Sequence, residues 1–234
     1  MTSRYPEVYA AWKRDPEGFW LEASKAIDWI VPPSRAFDPD AGIYGRWFPD
    51  AQCNTCQNAV DRHAADAPDR LAIIHESPIT GTSRTATYGE LLADVNAMAA
   101  VLADRGVGKG DRVVVYMPMI PETLVVMLAC ARLGAIHSVV FGGFAAHELA
   151  TRIDDCSPKL IVTASCGIEP GRVVPYKPLV DEAKRQSRDD PATLVWQRPQ
   201  ETAALDAPGD GDLGALFAEA RAAGRTVAPV AVKA

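Results

Sequence analysis

The chain has 234 residues, 48% hydrophobic and 23% charged, a composition that supports one good-sized core and excludes wholesale disorder. A formal net charge of −6 excludes nucleic acid and anionic membrane as partners of the whole surface, while leaving room for a local basic pocket that takes a small anion. No stretch approaches the ~20 apolar residues of a membrane span, the start Met1-Thr-Ser-Arg-Tyr-Pro6 lacks the apolar centre of a secretory signal, and an odd count of five cysteines argues for reduced thiols and a cytoplasmic protein.

Residues 1–60 read differently from the rest. They hold Trp12, Trp20, Trp29 and Trp47, and Pro32-Pro33 and Asp38-Pro39-Asp40 interrupt them. One or two helices (Tyr5 to about Trp12, Phe19 to about Ile27) lead into an irregular aromatic stretch. Such a segment is expected to wrap over a larger core with tryptophan area as its anchor, without being a domain of its own.

From Arg70 a rhythm begins. Leu71 to Glu76 reads as a strand, with Ser83 to Thr87 as a hairpin partner. Thr87-Tyr-Gly-Glu90 fits a capping box and predicts a helix start. Leu91, Leu92, Val95, Met98, Ala99 and Leu102 then fall on one helical face, and Gly106 stops it. Arg112 to Met117 is a second strand. Pro121 suits the first position of a helix that is apolar almost all round to Leu133, closed by Gly134. Strands over Ile136–Phe141, Lys159–Thr163 and Thr193–Trp196 alternate with helices over Ala146–Asp155 and Pro178 to about Ser187. Short connections between alternating elements predict an α/β fold, an open and mostly parallel sheet with flanking helices. Residues 201–234 read as a linker and an end, with one more helix over Asp212–Ala223.

Among the motifs, Phe141-Gly142-Gly143-Phe144 lies between a strand and a helix, where open α/β sheets bind ligands. Two glycines admit close approach of a ligand to the backbone, and the following helix start attracts anions; a tight turn with no ligand explains the same residues. Gly171-Arg172, after the next strand, offers a guanidinium suited to phosphate at the same sheet edge, or a solvated loop arginine. Cys53-Asn-Thr-Cys56 has C-x-x-C spacing, but no second pair accompanies it and, even with His63 nearby, no fourth ligand is evident, so the cysteines read as structural. Gly209-Asp-Gly-Asp-Leu-Gly214 matches G-x-G-x-x-G, yet its two aspartates would repel phosphate. Asp61-Arg62-His63 reads as capping and surface pairing. No metal site and no catalytic residue is assigned.

Several longer segments resemble the acetyl-/propionyl-CoA synthetase branch of the adenylate-forming superfamily. They include Cys56–His63, Thr87–Leu91, Lys109–Val113, Tyr116–Glu122, Met127–Phe144, Arg152–Asp154 and Gly171-Arg172, in matching order from about Tyr5 to Lys184. Gly42–Phe48 and His75–Thr82 look closer to propionate–CoA ligases than to acetate–CoA ligases. The resemblance implies a ligase working in two steps. A carboxylate attacks ATP, with magnesium, to give an acyl-adenylate and pyrophosphate; the thiol of coenzyme A then displaces AMP. It also implies that residues 61–200 are the first part of an AMP-binding domain, and that Phe141, Gly142, Gly143, Gly171 and Arg172 bind coenzyme A. Glu169 departs from the arginine common there in the acetate branch, and a carboxylate repels phosphate. The family's phosphate loop, acyl pocket, ribose-binding acidic residue and catalytic lysine find no match. The resemblance therefore implies an N-terminal portion, inactive alone, that pairs with a missing C-terminal part. A non-catalytic coenzyme A-binding module, and a truncated gene product with an exposed sheet edge, are the alternatives.

Overall fold

A computed structural model describes residues 3–234. The chain opens with α1 (Tyr5–Arg14) and α2 (Pro16–Ser24). Asp15 separates them: its carboxylate accepts the Gly18 N–H at 2.9 Å, and Pro16 fills a first-turn position that needs no N–H. Strand β1 (Phe37–Asp38) pairs antiparallel with β2 (Arg46–Trp47), and β3 (Gln52–Cys53) follows. The tryptophans here anchor mainly to other aromatics. Trp20, Phe37 and Phe48 have ring centroids 5.4, 5.1 and 6.0 Å from Trp47, and Trp47 stays 48% exposed. The expected tryptophan anchor on the core is corrected in this respect: Trp12 on α1 and Trp20 on α2, like Trp29 and Trp47, are not buried.

A π-helical turn (Gln57–Asp61) leads into α3 (Arg62–Asp66). Strands β4 (Leu71–Ser77) and β5 (Thr82–Thr87) form an antiparallel hairpin. Thr87 then caps α4 (Tyr88–Asp104). Its hydroxyl accepts the Glu90 N–H at 3.2 Å, and the Glu90 carboxylate accepts the Thr87 N–H at 2.8 Å, so two otherwise free donors are satisfied reciprocally. Leu91, Val95, Met98, Ala99 and Leu102 are buried on the predicted face, with Leu92 packed at its edge.

The rest alternates as β6 (Arg112–Tyr116), α5 (Pro121–Leu133), β7 (Ile136–Val139), α6 (Ala146–Cys156) and β8 (Leu160–Ala164). A hairpin of β9 (Cys166–Glu169) and β10 (Arg172–Pro175) precedes α7 (Lys177–Gln186) and β11 (Ala192–Trp196). Last come β12 (Gly211–Asp212), α8 (Leu213–Ala222) and β13 (Val232–Lys233). Strands β12-β11-β8-β6-β7, in that order, make one parallel sheet.

Alternation along the strands sends side chains to both faces. Val113, Val115, Leu160, Val162 and Leu194 meet α4, α5 and α8; Val114, Tyr116 and Ile161 meet Leu149, Ile153 and Val180 of α6 and α7. Each such side chain contributes about 1.5–3 kcal/mol on burial. The fold is the open α/β sheet that the pattern predicts.

Three expectations change. Residues 201–234 carry the expected helix as α8 and, beyond the expected linker, are tied into the fold: β12 extends the sheet, α8 packs on α4, and β13 pairs with β3. The Val230 N–H donates to the Arg132 carbonyl at 2.8 Å, and Asn54 Nδ2 donates to the Val230 carbonyl at 2.8 Å. Those partners lie far away in sequence, so local composition conceals them. Helix α5, apolar almost all round, is not buried all round, since Leu124 is 39% exposed. The hairpin β9–β10 replaces the loop expected around Gly171.

Candidate functional site

The carboxyl ends of β6, β7 and β11 open into a cleft of about 910 Å³. Met117 to Ile120 follow β6, Val140 to Gly142 follow β7, and Gln197 to Gln200 follow β11. The hairpin β4–β5 supplies one wall through His75 and Arg84, and Ile168 and Glu169 of β9 supply another. Most of the lining is apolar, with a few polar groups, the usual make-up of a small-molecule site. Arg84 Nη2 binds Glu122 Oε1 at 2.7 Å on the rim. His75 lines the cleft, and its Nδ1 atom is buried without a hydrogen-bond partner.

Two tyrosines stand beneath the Gly142-Gly143 turn. Tyr116 ends β6 and Tyr176 precedes α7, with ring centroids 4.9 Å apart. The Tyr116 hydroxyl donates to the Phe144 carbonyl at 2.9 Å and accepts the Gly143 N–H at 3.1 Å. A Cβ at Gly142 or at Gly167 would stand 2.4 Å from the Tyr176 hydroxyl oxygen, closer than any real contact. Glycine at 142 is therefore required by the tyrosine behind it, whatever occupies the cleft in front. Burial pushes the Tyr176 hydroxyl up to about 12 and also raises that of Tyr116. Both stay neutral near pH 7: Tyr116 acts as a hydrogen-bonding post, Tyr176 as packing behind the glycines, and neither as a base.

Of the residues singled out in the sequence, Phe141 and Gly142 line the cleft, Phe141 at 70% exposure. Gly143 closes the turn. Gly171 and Arg172 sit at the tip of the β9–β10 hairpin, where Arg172 pairs in register with Glu169. Arg172 Nε and Nη2 reach Glu169 Oε2 at 2.8 and 2.7 Å. A Cβ at Gly143 would lie 3.7 Å from Glu169 Oε1, so the carboxylate stands between the turn and the guanidinium. Sequence reasoning missed the β4–β5 wall, the two tyrosines and the Arg84–Glu122 pair. Only Tyr116, the end of a strand entering the site, carried a local signal.

The remaining motifs fall elsewhere. All five cysteines are free thiols. Burial pushes the Cys56 thiol up to about 11 and that of Cys130 to about 12, so neither is a ready nucleophile. Asp61 departs from surface pairing: it accepts Arg132 Nη1 at 2.9 and 2.8 Å, and the Arg132 side chain is 6% exposed. Arg62 does pair at the surface, with Asp28 at 3.8 Å, and His63 meets Arg70 at 3.0 Å. In Gly209–Gly214, Asp210 binds buried Lys177 at 2.8 Å and Asp212 caps α8 through the Ala215 N–H at 3.0 Å. Among the described residues no group of three or more His, Cys, Asp or Glu is arranged to hold a metal ion. No helix there is long and apolar enough to cross a membrane.

Comparison with known proteins agrees with the architecture. The family model described as AMP-binding enzyme matches residues 60–230, and that described as acetyl-coenzyme A synthetase N-terminus matches residues 5–59. The chain is 48% identical over 209 residues to acyl-CoA synthetase short-chain family member 3, mitochondrial, of Homo sapiens, covering 88% of this chain and 30% of that protein. It is 46% identical over 191 residues to propionate–CoA ligase of Escherichia coli, covering 82% and 30%. The solved acetoacetyl-CoA synthetase from Streptomyces lividans superposes with a TM-score of 0.82 at 26% identity, over 96% of this chain and 33% of that one. The chain thus spans about a third of the length of the relatives it matches. With the family matched over most of its length and its parallel sheet shared with a solved synthetase, the chain belongs to the AMP-binding enzyme family.

Proposed function

We propose that these residues form the N-terminal, coenzyme-docking part of an AMP-forming short-chain acyl-CoA synthetase. The complete reaction on this reading joins a short carboxylate, propionate or acetate, to coenzyme A. A carboxylate oxygen bonds to the α-phosphorus of ATP and pyrophosphate leaves. The coenzyme sulfur then attacks the acyl carbon and AMP leaves. Magnesium accompanies ATP, and the protein's part is largely to hold and neutralise phosphoryl charge. The observation that carries the reading is the family match over residues 60–230, together with a cleft at the carboxyl ends of the matched sheet.

Coenzyme A is assigned to Phe141, Gly142 and Gly143, with Gly171 and Arg172 at a phosphate end. What supports this placement is the exposed ring pair Phe141–Phe144, 5.8 Å apart, which offers an apolar platform beside an exposed guanidinium. Propionate is preferred over acetate on Gly42–Phe48 and His75–Thr82, with the 46% identity to a propionate–CoA ligase in support. The division near residue 60 is supported by the two family models meeting there. A cytoplasmic setting is supported by five free thiols. Pairing with a further part of a synthetase is supported by edge strand β7, where Ile136 and Val139 are 56% and 49% exposed.

The test is a pyrophosphate-release assay on the 234-residue chain with ATP, propionate and coenzyme A, beside calorimetry with coenzyme A alone. Binding without turnover is expected. Thioester made by these residues unaided would overturn the division of labour, and the absence of binding heat would overturn the docking site.

A further inference from the structure

Arg172 is the residue on which phosphate recognition would turn, yet it is not free. Glu169 lies directly opposite it in the β9–β10 register, and both Nε and Nη2 converge on Glu169 Oε2. The second carboxylate oxygen faces Gly143. One acidic side chain therefore bridges the two halves of the candidate site, the turn after β7 and the hairpin after β8. A phosphate approaching Arg172 meets a carboxylate already seated on the fork that would bind it, and is repelled by the same charge. The Gly143 N–H offers no substitute, since Tyr116 takes it.

We propose that Glu169 is a built-in competitor for the phosphate of the incoming nucleotide, a specificity-determining residue that holds Arg172 until a ligand displaces it. This rests on the coenzyme reading of the site. The hold is weak enough to yield: an exposed opposite-charge pair facing across two strands shifts an equilibrium by about five-fold at most. Glu169 thus tunes phosphate affinity without abolishing it, and penalises ligands in proportion to their dependence on Arg172.

The experiment compares wild type, Glu169→Gln, Arg172→Ala and the double variant by calorimetry with coenzyme A and with pantetheine, which carries no phosphate. Glu169→Gln should bind coenzyme A about five-fold tighter than wild type, the size of one exposed ion pair, with pantetheine unchanged and the gain lost in the double variant. Equal or weaker coenzyme A binding by Glu169→Gln, with binding otherwise retained, overturns the competitor and spares the coenzyme reading. A second readout needs no coenzyme. Phenylglyoxal should modify Arg172 several-fold faster in Glu169→Gln, followed by peptide mass spectrometry, because the carboxylate no longer stabilises the charged guanidinium. Equal rates overturn the ion pair as a restraint. Faster modification with no coenzyme binding in any variant overturns the coenzyme reading and, with it, the role proposed for Glu169.

Discussion

Residues 112–196 bury Val113, Val114, Ile161 and Leu194 completely, whereas none of Trp12, Trp20, Trp29 and Trp47 in the leading segment is buried. The smaller side chains win because their backbone lies in a sheet covered on both faces. The larger ones sit on α1, on α2, on a loop and on a two-residue strand, where no second layer covers them. What fixes the leading segment is polar. Asn54 is buried and donates through Nδ2 to the carbonyls of Ala131, Arg132 and Val230, while its Oδ1 accepts the Gln57 N–H. Asn58 and Asp28 exchange two hydrogen bonds, and Asp50 accepts the Ser34 N–H. Burial here follows the architecture around a residue more than its hydrophobicity.

The largest effect belongs to the sheet side. Leu102 is fully buried on α4, and Leu102→Ala should cost about 3 kcal/mol, within the 2–5 range for a close-packed leucine. Urea unfolding with an unchanged slope measures it. The joint between the two regions comes next. Asp61→Asn leaves buried Arg132 facing a neutral amide; since Asp61 is 23% exposed, the cost should be about 2 kcal/mol, below the ~3–5 of a fully buried pair. Trp47→Ala removes the largest side chain of the three and should cost least, about 1 kcal/mol against the ~3–5 of a core tryptophan. A loss for Trp47→Ala equal to that for Leu102→Ala would erase the distinction between the regions.

Legibility in the sequence followed the same divide. Thr87 and Glu90 announced their helix because a capping box is complete within four residues. Gly134, at φ 69°, closed α5 where a side chain would be strained, and the valine runs gave the strands. Arg132 lies inside with its partner Asp61 far off in the chain; Lys177 has a local partner in Asp181, but its burial goes with the distant Asp210, which no local pattern marks. Half of the candidate site was readable: the turn at Phe141–Gly143 follows a strand and precedes a helix. Gly171-Arg172 was read as a loop although Gly171 turns a hairpin, since Cys166–Glu169 is too short a run to stand out. Tyr176 escaped notice because its role is set by Gly142 and Gly167, glycines that look like room for a ligand until the ring behind them is placed.

The smallest expected effect concerns pH and separates capped ends from core. Hydrogen bonds from the Thr87 backbone and hydroxyl hold the Glu90 carboxyl below its ordinary 4.5. A group depressed in the folded state contributes stability that is fully present above its unfolded value and is lost as pH falls through its folded value. Asp104 beside Arg225, and Asp154 beside Ser187 and Arg188, shift in the same direction. Acid should therefore loosen helix ends and their tethers before it reaches the apolar sheet. In thermal melts, Glu90→Gln should fall below wild type at pH 7, where the charged carboxylate accepts the stronger bond and favours the positive end of α4. The two should converge as pH falls well below the ordinary carboxyl value, where protonation leaves wild type with a neutral acceptor as well. A gap that stays constant from pH 7 to pH 3 would assign the loss to side-chain shape, and the charge of the capping box would then play no part in how this helix begins.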